Sequence, residues 1–186
     1  MIMAFKGFKK DLTCTKGGKS YQYQKEGWNE EEKAKCVSNG LHCAENPLDC
    51  LNYYPDMGNS VYYIVIADGD VNEDGTDSKI SCTRMKLVKE LSQKEFVMHS
   101  LNYIFRHPYR KDNNRVRKGI GKAEGGFVIV RGKNPVAKGQ RGDILAFAKE
   151  EAGRRDISEL GMYEVDGEKI LPDTWYDING RRAAGC

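Results

Sequence analysis

Asp70-Val71-Asn72-Glu73-Asp74-Gly75 offers side-chain oxygens at its first, third and fifth positions and glycine at its sixth, the opening half of a calcium-binding EF-hand loop. The twelfth position is Ser81, which cannot supply the bidentate carboxylate, and the flanks read as strands where the motif needs helices. The stretch is therefore expected to be a polar hairpin loop. Cys36, His42, Cys43 and Cys50 are suitable zinc ligands, but their spacing fits no compact finger, so the expectation is packing rather than metal. A nucleophilic Cys14 or Cys43 would need His42, His99 or His107 as its base. On a strand His42 and Cys43 point to opposite faces, and nothing marks an acid or an oxyanion site. Gly119-Ile120-Gly121-Lys122 is too short for a phosphate loop, and Gly125-Gly126 lacks the lysine and hydroxyl that make one work. These motifs predict no catalytic residue, no metal and no cofactor.

Cations carry the stronger signal. Arg106, Arg110, Lys111, Arg115, Arg117, Lys118 and Lys122 face only Asp112 and then Glu124, with His107 and Tyr109 interleaved, and Arg131 and Lys133 follow. Lysine and arginine neutralise phosphates and release counterions, while aromatic rings stack on bases or sugars. The predicted nucleic-acid or partner-binding set is accordingly Arg106, Tyr109, Arg110, Lys111, Arg115, Arg117, Lys118, Lys122, Arg131 and Lys133. The plain alternative is a solvated basic loop. Formal net charge over all 186 residues is only +3, so the signal is local.

The elements that must position these residues follow from pattern. Phe5 to Phe8 and Ser20 to Gln24 alternate around Lys16-Gly17-Gly18-Lys19, predicting two short strands about a glycine turn. Asn46-Pro47 predicts a capped helix that ends near Pro55. Val61 to Ala67 and Lys79 to Val88 read as paired strands joined by a polar loop from Asp68 to Asp77. Ser92 and Glu95 form a capping box, Leu91 and Phe96 a hydrophobic staple, and Phe96, Val97, Leu101, Ile104 and Phe105 an apolar helix face that should end before Pro108. Beyond the basic stretch, Phe127 to Val130, Ile144 to Ala148, Met162 to Val165 and Thr174 to Ile178 read as strands, the last two set around the turns Asp166-Gly167 and Asn179-Gly180.

The predicted fold class is α+β: an N-terminal mixed sheet with one short and one longer helix, then a small β-rich C-terminal unit. The expected division is an α+β domain over 1–107, a basic connecting segment over 108–125 and the β-rich unit over 126–186. With 39% hydrophobic and 31% charged residues, the chain has the composition of an ordinary globular protein and is long enough to bury a core without disulfides. No apolar run approaches the roughly 20 residues a membrane helix needs. The N-terminus mixes lysines into its apolar residues, so a cytoplasmic location with six reduced cysteines is expected.

Phe5-Lys6-Gly7-Phe8, Asp11-Leu12-Thr13-Cys14, the block from Gly40 to Asp49 with His42, Cys43, Asn46 and Pro47, Tyr53-Tyr54, and the tail from Val165 to Tyr176 together resemble a family of uncharacterised phage and prophage proteins. Many members of that family carry glycine- and alanine-rich repeats between these ends, whereas here the stretch from about Gly119 to Gly142 is brief and basic. The resemblance implies a phage or mobile-element setting in a bacterial host cell. Joined to the basic segment, it predicts an accessory protein that counters host defence without catalysis, by binding DNA, guide RNA or a CRISPR nuclease complex. Its specific form is an anti-CRISPR protein that blocks DNA recognition by Cas9. The N-terminal half is also similar at the level of fold to ADP-ribosyltransferase-like domains. In that likeness Phe5-Lys6-Gly7 and Gly40-Leu41-His42 take the strand and motif places, and Glu90 or Glu95 that of the acid, which implies an NAD-using enzyme as the alternative. A third reading is a self-assembling, homo-oligomeric phage component with the C-terminal β-unit as its interface.

Overall fold

The computed structural model describes residues 1–16, 19–32, 40–73 and 78–184. The chain divides into two compact units, Met1–Phe96 and Val97–Cys186.

The first unit contains β1 (Ile2–Lys9), β2 (Thr13–Lys16), β3 (Lys19–Gln22), β4 (Asn29–Glu30), β5 (Leu41–Ala44), β6 (Ser60–Glu73) and β7 (Lys79–Leu91). β7 pairs β5, β5 touches β1, β1 pairs β6 and β6 returns to β7, so the sheet closes on itself, with β4 added on β7. The long β6–β7 hairpin makes closure possible. Near its middle the register slips between Asp68 and Val71, where Gly69 takes a φ of 76°, and this bulge bends the ribbon. Phe8, Leu41, Tyr63, Val65 and Met85 fill the interior, and Phe8 meets Tyr23 edge-on at 4.9 Å. β2 and β3 form a separate hairpin.

Asn46 caps a short 3-10 helix (Pro47–Asn52), its side chain accepting from the Leu48 amide. α1 (Gln93–Arg106) begins with the capping box: the Glu95 amide donates to the Ser92 hydroxyl, and the Ser92 amide donates to the Glu95 carboxylate. Leu91 and Phe96, the predicted staple, are both buried.

In the second unit β8 (Val116–Lys122), β9 (Phe127–Lys138), β10 (Ile144–Glu150), β11 (Ile157–Glu164) and β12 (Tyr176–Asp177) form one sheet in the order β11-β10-β9-β12, with β8 also on β9. β8 and β10 run parallel to β9, whereas β11 and β12 are antiparallel to their neighbours. The central strands begin with five consecutive buried residues each, Phe127 to Arg131 and Ile144 to Ala148, as expected for strands covered on both faces. Val130, Leu145, Phe147, Val165 and Tyr176 form the core.

The structure is mainly β, with one α-helix and one 3-10 helix among the described residues, so the α+β expectation holds only loosely. The N-terminal sheet is not mixed. Every pairing in it is antiparallel, because its strands are joined without a crossover helix, and the mixed sheet is the C-terminal one. β3 pairs β2 rather than the Phe5 to Phe8 strand. A turn at Leu12 with φ 61° intervenes, braced by Asp11, which accepts from the amide and hydroxyl of Thr13. The predicted polar loop from Asp68 is strand through Glu73, because Asp70 and Asn72 stay exposed while the backbone stays paired with β7; residues 74–77 and the glycine turn at 17–18 lie outside the described set. Within the stretch 108–125, residues 116–122 are β8, a strand of the second sheet.

Candidate nucleic-acid interface

Pro108 to Arg115 connect α1 to β8 and are anchored from below by Arg131. This arginine is the last of the five buried residues that open β9 and is only 3% exposed. Its guanidinium donates to Glu150 Oε1 and Asp112 Oδ1, each at 2.7 Å, and to the carbonyls of Pro108 at 2.6 Å and Arg155 at 2.8 Å. Arg155 adds bonds to the Pro108 and Arg110 carbonyls and to Asp112 Oδ2. The planar fork of arginine suits this task, since one group holds two carboxylates and two carbonyls at once. Arg131, predicted as a binding residue, is therefore unavailable to a ligand: its charge is neutralised internally and its role is to hold the loop.

Opposite Arg131 in register lies Lys118. β8 then advances by Gly119 alone while β9 passes through Gly132, Lys133, Asn134 and Pro135 before Ile120 meets Val136, a large bulge in β9. Gly119 adopts a φ of 73°, and a Cβ added to Gly132 would lie 3.2 Å from both the Cα and the N of Gly119. Only residues without side chains allow this approach. Lys118 and Lys133 adjoin this contact in sequence, and both are exposed. Arg117 leans over Gly121, whose added Cβ would meet the Arg117 Cβ at 3.0 Å, and makes an exposed pair with Glu124 at 3.3 Å, a contact too solvated to hold it strongly. Lys122 is exposed at the end of β8.

Arg106, at the end of α1, is exposed, as are Arg110, Lys111 and Arg115 in the loop. Arg106, Arg110, Lys111, Arg115, Lys118 and Lys133 enter no ion pair among the described residues. Tyr109 is 67% exposed, and its hydroxyl donates to Asp156 Oδ2 at 2.7 Å, which raises its pKa. Of the ten predicted residues, nine thus stand at the surface and Arg131 lies beneath them. Sequence reasoning missed Asp112, Glu150 and Arg155, the partners that position the loop. The one available signal was Asp112, an acid isolated among cations.

The first unit holds a different arrangement. Lys6 is 7% exposed inside the closed sheet, its Nζ donating to the His42 carbonyl at 2.5 Å and lying 4.9 Å from the Tyr23 ring and 5.2 Å from the Phe8 ring. Burial lowers its pKa. Cys14, Cys43, Cys50 and Cys82 are buried free thiols. A hydrogen bond with Cys82, reinforced by burial, raises the Cys43 pKa, and burial pushes Cys50 up to about 12. Cys43 and Cys50, held protonated and closed from solvent, are poor nucleophiles, while the same Cys43 hydrogen bond lowers the pKa of Cys82. Among the described residues no three His, Cys, Asp or Glu side chains are placed to hold a metal ion; Cys36 lies outside them. Glu95 is engaged in the helix cap, and Glu90 accepts from the Tyr63 hydroxyl at 2.6 Å. No helix among the described residues is long and apolar enough to cross a membrane.

Residues 2–99 match the family described as Domain of unknown function (DUF7666). The chain belongs to this family. The DUF7666 match covers the closed sheet with Lys6 and the start of α1, so the basic stretch from Arg106 onward lies outside it. No curated protein and no solved structure matches the chain.

Proposed function

We propose that this DUF7666 protein binds nucleic acid without chemistry, holding phosphates against the cations of β8, the β9 bulge and the loop that Arg131 anchors. The observation that carries this reading is the pair Lys118 and Lys133. They adjoin the Gly119–Gly132 approach on neighbouring strands, both are exposed, and neither enters an ion pair among the described residues. Exposed cations with no acidic partner are open to anions, and a phosphate backbone supplies them. In its sharper form, suggested by the phage resemblance, the bound nucleic acid is the DNA or guide RNA of a CRISPR nuclease complex, and the protein counters host defence by obstructing DNA recognition.

The test is fluorescence anisotropy with a labelled oligonucleotide. A double charge reversal, Lys118→Glu with Lys133→Glu, is expected to weaken binding by at least about tenfold at low salt and to relieve inhibition of a guide-loaded Cas9 in a cleavage assay. Unchanged affinity in the double variant would show that this surface is not the one that binds.

A further inference from the structure

Resting on the nucleic-acid reading above, we propose that the ligand is a single strand, whose bases stack on Phe105 and Tyr109 while its phosphates lie against Arg106, Arg110 and Lys111. α1 buries Phe96, Val97, Ser100, Leu101 and Ile104. At 100° per residue Phe105 lies about 110° from the centre of that face. The sequence reading placed it on the core face, but the helix turns it outward, where it is 49% exposed. Its exposure is therefore fixed by a regular helix and is not the product of a frayed end.

Tyr109 is presented by a different device. Its hydroxyl is fixed on Asp156, and the loop beneath it is held by the bonds from Arg131 and Arg155 to the Pro108 carbonyl, so the ring is set in place while 67% of the residue stays open. Between the two rings, His107 packs against Tyr103 with centroids 4.5 Å apart. From 105 to 111 the exposed side chains run ring, cation, imidazole, then ring, cation, cation. Arg106, Arg110 and Lys111 enter no ion pair among the described residues.

Cations alone would serve any polyanion, single or double. Exposed rings held in place add nothing for a duplex, because each base face there is already covered by its neighbours, whereas an unpaired strand offers every base as a stacking partner. DNA and RNA share this chemistry, and arms of the experiment with each distinguish them.

The probes are a labelled single-stranded oligonucleotide of mixed sequence, as DNA and as RNA, its duplex, and an abasic strand of equal length, measured at one salt concentration. The mixed-sequence strand is expected to bind about tenfold tighter than the abasic strand. Phe105→Ala and Tyr109→Ala should each remove roughly five- to tenfold of that affinity while leaving the abasic strand unaffected. Tyr109→Phe keeps the ring but loses its tether to Asp156, and should bind between the native protein and Tyr109→Ala. Phe105 is exposed, so its alanine variant tests the proposal even if Tyr109→Ala perturbs the loop. Equal affinity for the mixed-sequence and abasic strands, or a duplex bound as tightly as the single strand, overturns the stacking proposal. It leaves the phosphate reading standing wherever the Lys118 and Lys133 reversals still weaken binding. If no nucleic acid binds at all, both fall.

Discussion

Arg131 shows how a residue of the right type can serve the site from beneath it. Glu150 and Asp112 stand within 2.7 Å of its guanidinium, and two carbonyls complete its bonding. Removing the cation strands the Glu150 carboxylate, leaves Asp112 with Arg155 alone and frees two carbonyls, which typically costs about 3 kcal/mol. Arg131→Met is therefore expected to lower the unfolding free energy, measured by urea denaturation, by that much. Arg131→Lys should rescue little, since an ammonium cannot span four acceptors arranged around a fork. Binding should weaken through the loosened loop, yet its dependence on salt should keep the same slope, because Arg131 releases no counterion. A changed slope would place its charge against phosphate instead.

At the scale of the element, α1 depends on its first turn. The Lys89 ammonium, followed by the amide and hydroxyl of Ser92, holds the Glu95 carboxyl down at about 2, against an ordinary value of 4.5. Because the folded value lies below the unfolded one, the stabilisation is complete above about pH 4.5 and is lost as pH falls towards 2. Glu95→Gln keeps an oxygen for the Ser92 amide but not the charge. The stability gap between the native protein and this variant is expected to close over that acid range, as followed by circular dichroism at 222 nm; a gap independent of pH would refute the assignment. The same helix explains where sequence reading succeeds and fails. The cap was legible because it is a local pattern of four residues. Phe105 was misread because an apolar residue next to a helical stripe resembles a member of it until the angle is counted. The polar half of β6 was misread as loop for a related reason, since exposed strand residues need not be apolar while their backbone is paired.

For the whole molecule, charge is unevenly shared. Residues 97–186 hold 17 lysines and arginines against 12 aspartates and glutamates, whereas residues 1–96 hold 13 against 15. The net +3 thus conceals a basic second unit and a slightly acidic first one. If four to six cations neutralise phosphates, a plot of log affinity against log salt for a single strand should slope about −3 to −4, and the Lys118 and Lys133 reversals should flatten it by about 2. A slope near zero would mean that exposed charge is not what holds the ligand.

The linear chain was sufficient to locate the basic stretch, the capped helix and the β-rich character of the second half, because composition, caps and alternation are local properties. It could not show that β6 and β7 close a sheet around Lys6, since closure depends on pairings between strands far apart in the chain. Nor could it separate Arg131 from its neighbours. Ten residues of the predicted set look alike as cations and a tyrosine, and only burial decides which one neutralises carboxylates inside. The approach of Gly119 to Gly132 was likewise decided in three dimensions, by two residues whose missing side chains let adjacent strands meet.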